Sequence, residues 1–271
     1  MKKHILIIAI AFVGMMLSSC DFEAYGKTIK GNGNIVTRTY DVGAFDDLAV
    51  FLPFTTNYAV NVTIADTYTC TVRVDENLFE YLDIKVKDDE LQLGKPQKQT
   101  KCKLRPTECV IDITAPSLDE VNMAGCGTVN VLSPLNAKKM ELFVAGSGDI
   151  ILKESANISH LELQVAGSGS VILPNLTAEK LEVDIAGSGD AKIESGNVNE
   201  AEVSVAGSGD VVLTCNVENL DADIAGSGDI KARVSGKLEY SIIGSGDIGY
   251  YGNPVLKGSK AGSGSVRQIS E

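Results

Sequence analysis

Ala145-Gly-Ser-Gly-Asp-Ile150 is one of eight near-copies of a single hexapeptide, and their spacing limits the folds open to this chain more than any other feature. The series starts at Ala124-Gly-Cys-Gly-Thr128, runs through AGSGDI, AGSGSV, AGSGDA, AGSGDV, AGSGDI and Ile243-Gly-Ser-Gly-Asp-Ile248, and closes with Ala261-Gly-Ser-Gly-Ser-Val266. The first glycines stand at positions 125, 146, 167, 187, 207, 226, 244 and 262, with intervals that shrink from 21 to 18 residues. A fixed period of this length is the mark of one supersecondary unit stacked on itself.

Between the glycine corners, apolar and polar residues alternate, as in Leu161-Glu-Leu-Gln-Val165 and Leu181-Glu-Val-Asp-Ile185. Period two with β-branched residues reads as half-buried strands. A second short strand follows each corner (Asp149-Ile-Ile-Leu152, Asp210-Val-Val-Leu213), and then a polar turn such as Glu154-Ser-Ala-Asn157 or Thr214-Cys-Asn216. Residues 121–271 are therefore expected to form an all-β, right-handed β-helix-like solenoid, whose coils pair strand on strand at about 4.8 Å and span roughly 38 Å. A meander of hairpins is the competing arrangement. The solenoid is preferred because one outer turn can absorb a shrinking interval, whereas each length change in a meander would disturb register.

Residues 29–120 read as an irregular β-rich start to the same architecture. Strand-like runs occupy 48–52, 58–64, 69–74, 83–86, 90–93 and 110–113, Asp75-Glu-Asn77 and Asp88-Asp89 signal turns, and the basic segment Lys95–Arg105 reads as a solvated loop. Gly31-Asn-Gly-Asn-Ile35 resembles the corner motif and is a candidate ninth corner. Ahead of this, Met1-Lys-Lys3, the apolar run Ile5–Leu17 and Leu17-Ser-Ser-Cys20 form a secretory leader over residues 1–20, with 21–28 as a tether. The ending looks like a bacterial lipobox, which implies cleavage before Cys20 and acylation of that cysteine, and hence an outer-membrane lipid anchor on the periplasmic or surface side.

The formal charge is −12; without Lys2 and Lys3, 22 basic residues face 36 acidic ones, giving −14. Such a surface repels phosphate backbones and other copies of itself, which argues against nucleic acid as a partner and for a monomer. Beyond Cys20 stand Cys70, Cys102, Cys109, Cys126 and Cys215, an odd number that cannot all pair. An oxidising envelope permits a Cys102–Cys109 bridge, but spacing leaves the pairing open.

The opening GNGNIVTRTYDVGAFDDLAV, the following VTIADTYTCTVRVDENLFEYLDIKVKDDELQL and the AGSGDI units together resemble the head GIN domain of autotransporter adhesins, over residues 29–268. The resemblance implies a secreted or lipid-anchored bacterial envelope protein with a β-helix-like fold. It carries no catalytic residues across.

The corner residues are the candidate site. Gly146, Gly148, Gly187, Gly189, Gly207, Gly209, Gly226 and Gly228 are read as structural, since glycine allows a sharp bend with φ > 0. Seven corner serines would stack in a file headed by Cys126. Asp149, Asp190, Asp210, Asp229 and Asp247 would form a second file, interrupted by Ser170. Like charges at sheet spacing repel, so either each carboxylate caps its own turn or a row of Ca²⁺ ions is held between them. Capping is preferred, because calcium-binding glycine-rich repeats space their aspartates at nine residues; no cofactor is then required.

Catalysis is not expected. His160 is the one histidine after the leader, basic partners near the aspartates are sparse, and no GxG pair opens a helix. Without tryptophan, sugar stacking is limited to Tyr240, Tyr250 and Tyr251, of which Tyr250 and Tyr251 are read as a lid over the C-terminal end. The leading expectation is a non-catalytic, lipid-anchored envelope protein with a rigid surface for adhesion or protein contact. The alternative is a carbohydrate-binding or polysaccharide-acting β-helix.

Overall fold

The computed structural model describes residues 27–56, 58–96 and 102–270, so the leader, Cys20 and most of the tether lie outside the described residues. The chain is nearly all β, 68% strand against 3% helix, wound as a solenoid of about 7 turns with an irregular N-terminal portion. Each repeat contributes a long strand ending in the corner and a short strand after it: Leu135–Gly146 then Asp149–Leu152, Ala156–Gly167 then Ser170–Leu173, Leu176–Gly187 then Asp190–Ile193. Equivalent strands of successive repeats pair in parallel, with Gly146 against Gly167, Gly167 against Gly187 and Gly187 against Gly207. Parallel pairing excludes the hairpin meander, whose neighbours would run antiparallel.

Alternation decides which side chains meet inside. Leu161, Leu163 and Val165 of one long strand, and Val171 and Leu173 of the short strand after it, are buried in the single core that runs the length of the stack. Each such side chain contributes about 1.5–3 kcal/mol on full burial. A coil by itself would leave them exposed above and below, which is why the repeats must stack.

The shrinking interval is absorbed between the short strand and the next long one. In the earlier coils a break separates them, as between Leu152 and Ala156; later the break vanishes, and Val211–Gly226 and Ile230–Gly244 each run through as one strand. Register shifts between Leu213 and Asn216 and between Val217 and Asn219 mark where this pair adjusts. Thr214-Cys-Asn216 is thus strand rather than turn, and Cys215 is buried.

The first half joins the same stack out of sequence order. Asp47–Val50 and Ala59–Ile64 lie against Glu120–Gly125 and Thr128–Val131, and Glu90–Gly94 and Cys109–Ala115 lie beyond them. Antiparallel strands close this end: Thr69–Asp75 on Cys109–Ala115, Ile35–Tyr40 on Thr69–Asp75, and Asp83–Lys87 on Glu90–Gly94.

Two sequence readings are corrected here, and one pairing left open by the sequence is answered. Gly31-Asn-Gly-Asn34 is not a corner of the stack but a loop folded round the buried Asp75. The Asp75 carboxylate accepts the backbone N–H of Gly33 at 2.7 Å, that of Thr107 at 2.7 Å and the Thr107 hydroxyl at 2.9 Å. Burial opposes its charge, but these bonds outweigh burial and hold the carboxyl below its usual range. The segment before Arg105 is not wholly solvated either: Lys103–Arg105 pairs with Thr28–Lys30, and Leu104 is buried. Finally, no disulfide joins Cys109 to Cys102; Cys109 is a buried thiol, pushed up to about 12 by burial, with Asp75 and Glu108 adding to the shift.

Candidate functional site

Each corner is built from backbone stacked on backbone. The first glycine has a positive φ, 116° at Gly146 and 143° at Gly226, which a side chain disfavours. The second is needed for closeness instead: a Cβ on Gly209 would lie 2.0 Å from the carbonyl oxygen of Gly189 in the preceding coil. The carbonyl of Gly187 accepts the N–H groups of both Ser208 and Gly209, at 2.8 and 3.2 Å, and the same fork repeats at later corners. Of the stacked serines, Ser263 and Ser245 join hydroxyl to hydroxyl at 3.0 Å. At the head of the file Cys126 donates to the Phe54 carbonyl at 3.1 Å.

The corner aspartates cap the neighbouring coil rather than their own turn. Asp190 Oδ1 accepts the N–H of Asp210 at 2.9 Å, Asp210 that of Asp229 at 2.9 Å, Asp229 that of Asp247 at 2.8 Å, and Asp247 that of Ser265 at 2.7 Å. Asp149 does the same for Ser170 at 3.0 Å. Ser170 interrupts the relay, and Asp190 takes its partner from the Gly169 carbonyl instead. The spacing between carboxylates is offset because one oxygen of each is tied to a neighbour's amide. Among the described residues, no three His, Cys, Asp or Glu side chains come together as a metal-binding group.

A longer file lies on the outward side of the long strands, and sequence reasoning missed it. Glu90, Asp47, Glu120, Glu141, Glu162, Glu182, Glu202, Asp221 and Glu239 are in successive register, with Lys257 at the end. The signal was present: from Glu120 to Glu239, an acid stands five positions before every first corner glycine but the last. Lysines relieve the row in places. Lys139 meets Glu141, Lys180 bridges Glu182 and Glu202, and Lys237 and Lys257 flank Glu239, drawing its carboxyl down to about 2. Among the described residues Asp47 has no such partner, and it is raised to about 6, first by burial and then by Glu120, Asp46, Asp119 and Glu90.

His160 stands in this sheet between Lys139 and Lys180, 3.4 Å from Glu182. Its position is that of a surface cation in the neighbouring coils.

Of the two tyrosines expected as a lid, Tyr250 packs against the core and Tyr251 does not. Ile248–Tyr251 is covered by a further strand, Val266–Gln268, and Tyr251 turns outward beneath Lys231 and Arg233, 5.3 and 5.2 Å from its ring. The final coil ends the core by changing the inward residues. Leu256, Gly258 and Lys260 stand over Leu238, Tyr240 and Ile242. Lys260 Nζ donates to the Gly264 carbonyl at 3.1 Å, and Gln268 Nε2 to that of Gly252 at 2.6 Å. An inward-pointing charge on an edge strand discourages another strand from adding to it.

Comparison with known proteins agrees with this geometry. A crystal structure described as a "putative lipid binding protein" from Parabacteroides distasonis is 31% identical, covering 90% of this chain and 100% of its own, with a TM-score of 0.85. Two structures described as "putative adhesin", from Parabacteroides merdae and Parabacteroides distasonis, are 25% and 26% identical, each over 90% of this chain and 99% and 100% of their own, both with a TM-score of 0.82. No curated protein sequence matches. The profile of one family matches residues 44–160 and again 146–254, and the chain belongs to that family, "Putative auto-transporter adhesin, head GIN domain".

Proposed function

We propose that this protein is a non-catalytic, lipid-anchored adhesin of the bacterial outer membrane, in which the solenoid is a rigid spacer and contact surface. The observation that carries the reading is the unbroken parallel stack, whose corner glycines, corner aspartates and outward acids each keep one register from coil to coil. Such a stack holds its outward side chains at fixed spacing with little conformational freedom left to lose on contact. Family membership and the adhesin relatives support an adhesion-type role. The Leu17-Ser-Ser-Cys20 ending supports the anchor. His160 placed on the outward face of the sheet beside Glu182, rather than beside a nucleophile, supports a non-catalytic reading.

The test is adhesion of beads coated with residues 27–271 to bacterial envelope preparations and to epithelial surfaces. Retention above blank beads is expected, and it should survive periodate treatment of the target. Loss after periodate treatment instead would favour the carbohydrate-binding alternative, and retention equal to that of blank beads on every surface would overturn adhesion.

A further inference from the structure

The charge of the chain changes sign in its last two coils. Residues 141–229 carry sixteen acidic and three basic side chains, whereas residues 230–271 carry six basic and three acidic ones. The same two coils expose three large aliphatic residues: Val255 at 71%, Ile243 at 63% and Leu256 at 43%. Neither Val255 nor Ile243 is required by the coil. The position of Ile243 is alanine in the seven other corners, and that of Val255 is occupied in the preceding coils by Lys139, His160, Lys180, Glu200, Asn219 and Lys237. Ile243, Val255, Lys237 and Lys257 all alternate to the outward side of the last two long strands, with Val255 beside Lys237, Glu239 paired to both lysines, and Ile243 six positions further along. Lys257 is the more exposed of the two lysines, at 75% of its side chain.

We propose that this C-terminal patch is the contact surface of the adhesin, and that its partner is a lipid bilayer carrying anionic headgroups. Exposed aliphatic side chains flanked by lysines match such a boundary: the apolar groups enter at the headgroup level while the ammonium groups stay with the phosphates. An acidic protein would satisfy the lysines but would leave Ile243 and Val255 without a purpose. The location fits contact with a facing surface. Thr28–Lys30, which leads back to the anchor, pairs with Lys103–Arg105 at the other end of the stack, on the order of 40 Å away at ~4.8 Å per strand. The acidic shaft between them repels the anionic surface and favours an end-on approach. The inference rests on the adhesion reading and names its partner.

The test is co-sedimentation of residues 27–271, close to the 90% of this chain that matches a solved relative, with vesicles of phosphatidylcholine alone or mixed with phosphatidylglycerol. Several-fold more protein is expected on the anionic vesicles, declining as salt is raised. Ile243→Ala with Val255→Asn should lower binding several-fold at an unchanged melting temperature, because Ala and Asn occupy these positions in other coils. Lys257→Gln should lower it as well. Equal sedimentation with both vesicles would overturn the proposal, as would binding indifferent to the Ile243/Val255 pair. Retention on polyglutamate beads that ignores that pair would assign the patch to an acidic protein and overturn it too. Vesicle failure alongside intact bead adhesion would remove only the lipid partner, whereas loss of both would remove the adhesion reading.

Discussion

The carboxylate of Asp229 accepts the backbone N–H of Asp247 across 2.8 Å, tying one coil's corner to the next. Because the acceptor is a single side-chain oxygen, Asn can replace it while removing charge. Asp190→Asn, Asp210→Asn and Asp229→Asn together should leave the melting temperature equal or slightly higher, and the three Ala replacements should lower it. Melting in calcium chloride against chelator is expected to give the same temperature. A calcium-dependent rise that disappears in the Asn variant would instead establish a row of cations.

Stacking distance makes the second corner glycine intolerant of any side chain. A Cβ on Gly169 would lie 1.9 Å from the Gly148 carbonyl oxygen and 2.7 Å from Val144, whereas one on Gly43 meets nothing within 4 Å. Gly169→Ala should cost on the order of 3 kcal/mol through forced separation of coils. Gly43→Ala should be close to neutral. Denaturant unfolding of the two variants side by side checks the contrast.

Asp47 introduces a pH dependence whose sign follows from its raised carboxyl, about 6 when folded against an ordinary 3.8. A group raised on folding favours the native state fully below its unfolded value, and that contribution is lost as pH rises through the folded value. The wild-type melting temperature should therefore fall between about pH 4 and pH 6.5 through this group. Asp47→Asn should flatten that segment and raise the melting temperature at pH 7.5. Identical pH profiles for variant and wild type would remove Asp47 as the cause.

Anchoring is tested by fractionation. Cys20→Ala should either release the protein into the soluble fraction or leave uncleaved precursor, because the acylated residue is gone. A variant that is processed normally and stays with the membrane would refute the lipobox reading.

How much of this was legible follows from the range of the forces involved. Period and alternation are local, so the corner positions at 146, 167, 187 and onward, the inward Leu161-x-Leu163-x-Val165 and the all-β solenoid could be read directly from spacing. Even the outward acid row could have been found by counting five back from each corner glycine. Tertiary structure decided what depends on segments far apart in the chain. Asp47–Val50 slots between Glu90–Gly94 and Glu120–Gly125, and Ala59–Ile64 between Cys109–Ala115 and Thr128–Val131, an order set by side-to-side pairing that leaves no local trace. Gly31-Asn-Gly-Asn34 imitates a corner in sequence, yet it folds round Asp75 because a buried carboxylate must find donors, and Gly33 and Thr107 supply them. The direction in which Asp229 points, along the stack to Asp247 rather than back into its own turn, is likewise a choice between two equally short reaches. Only the position of the next coil settles it.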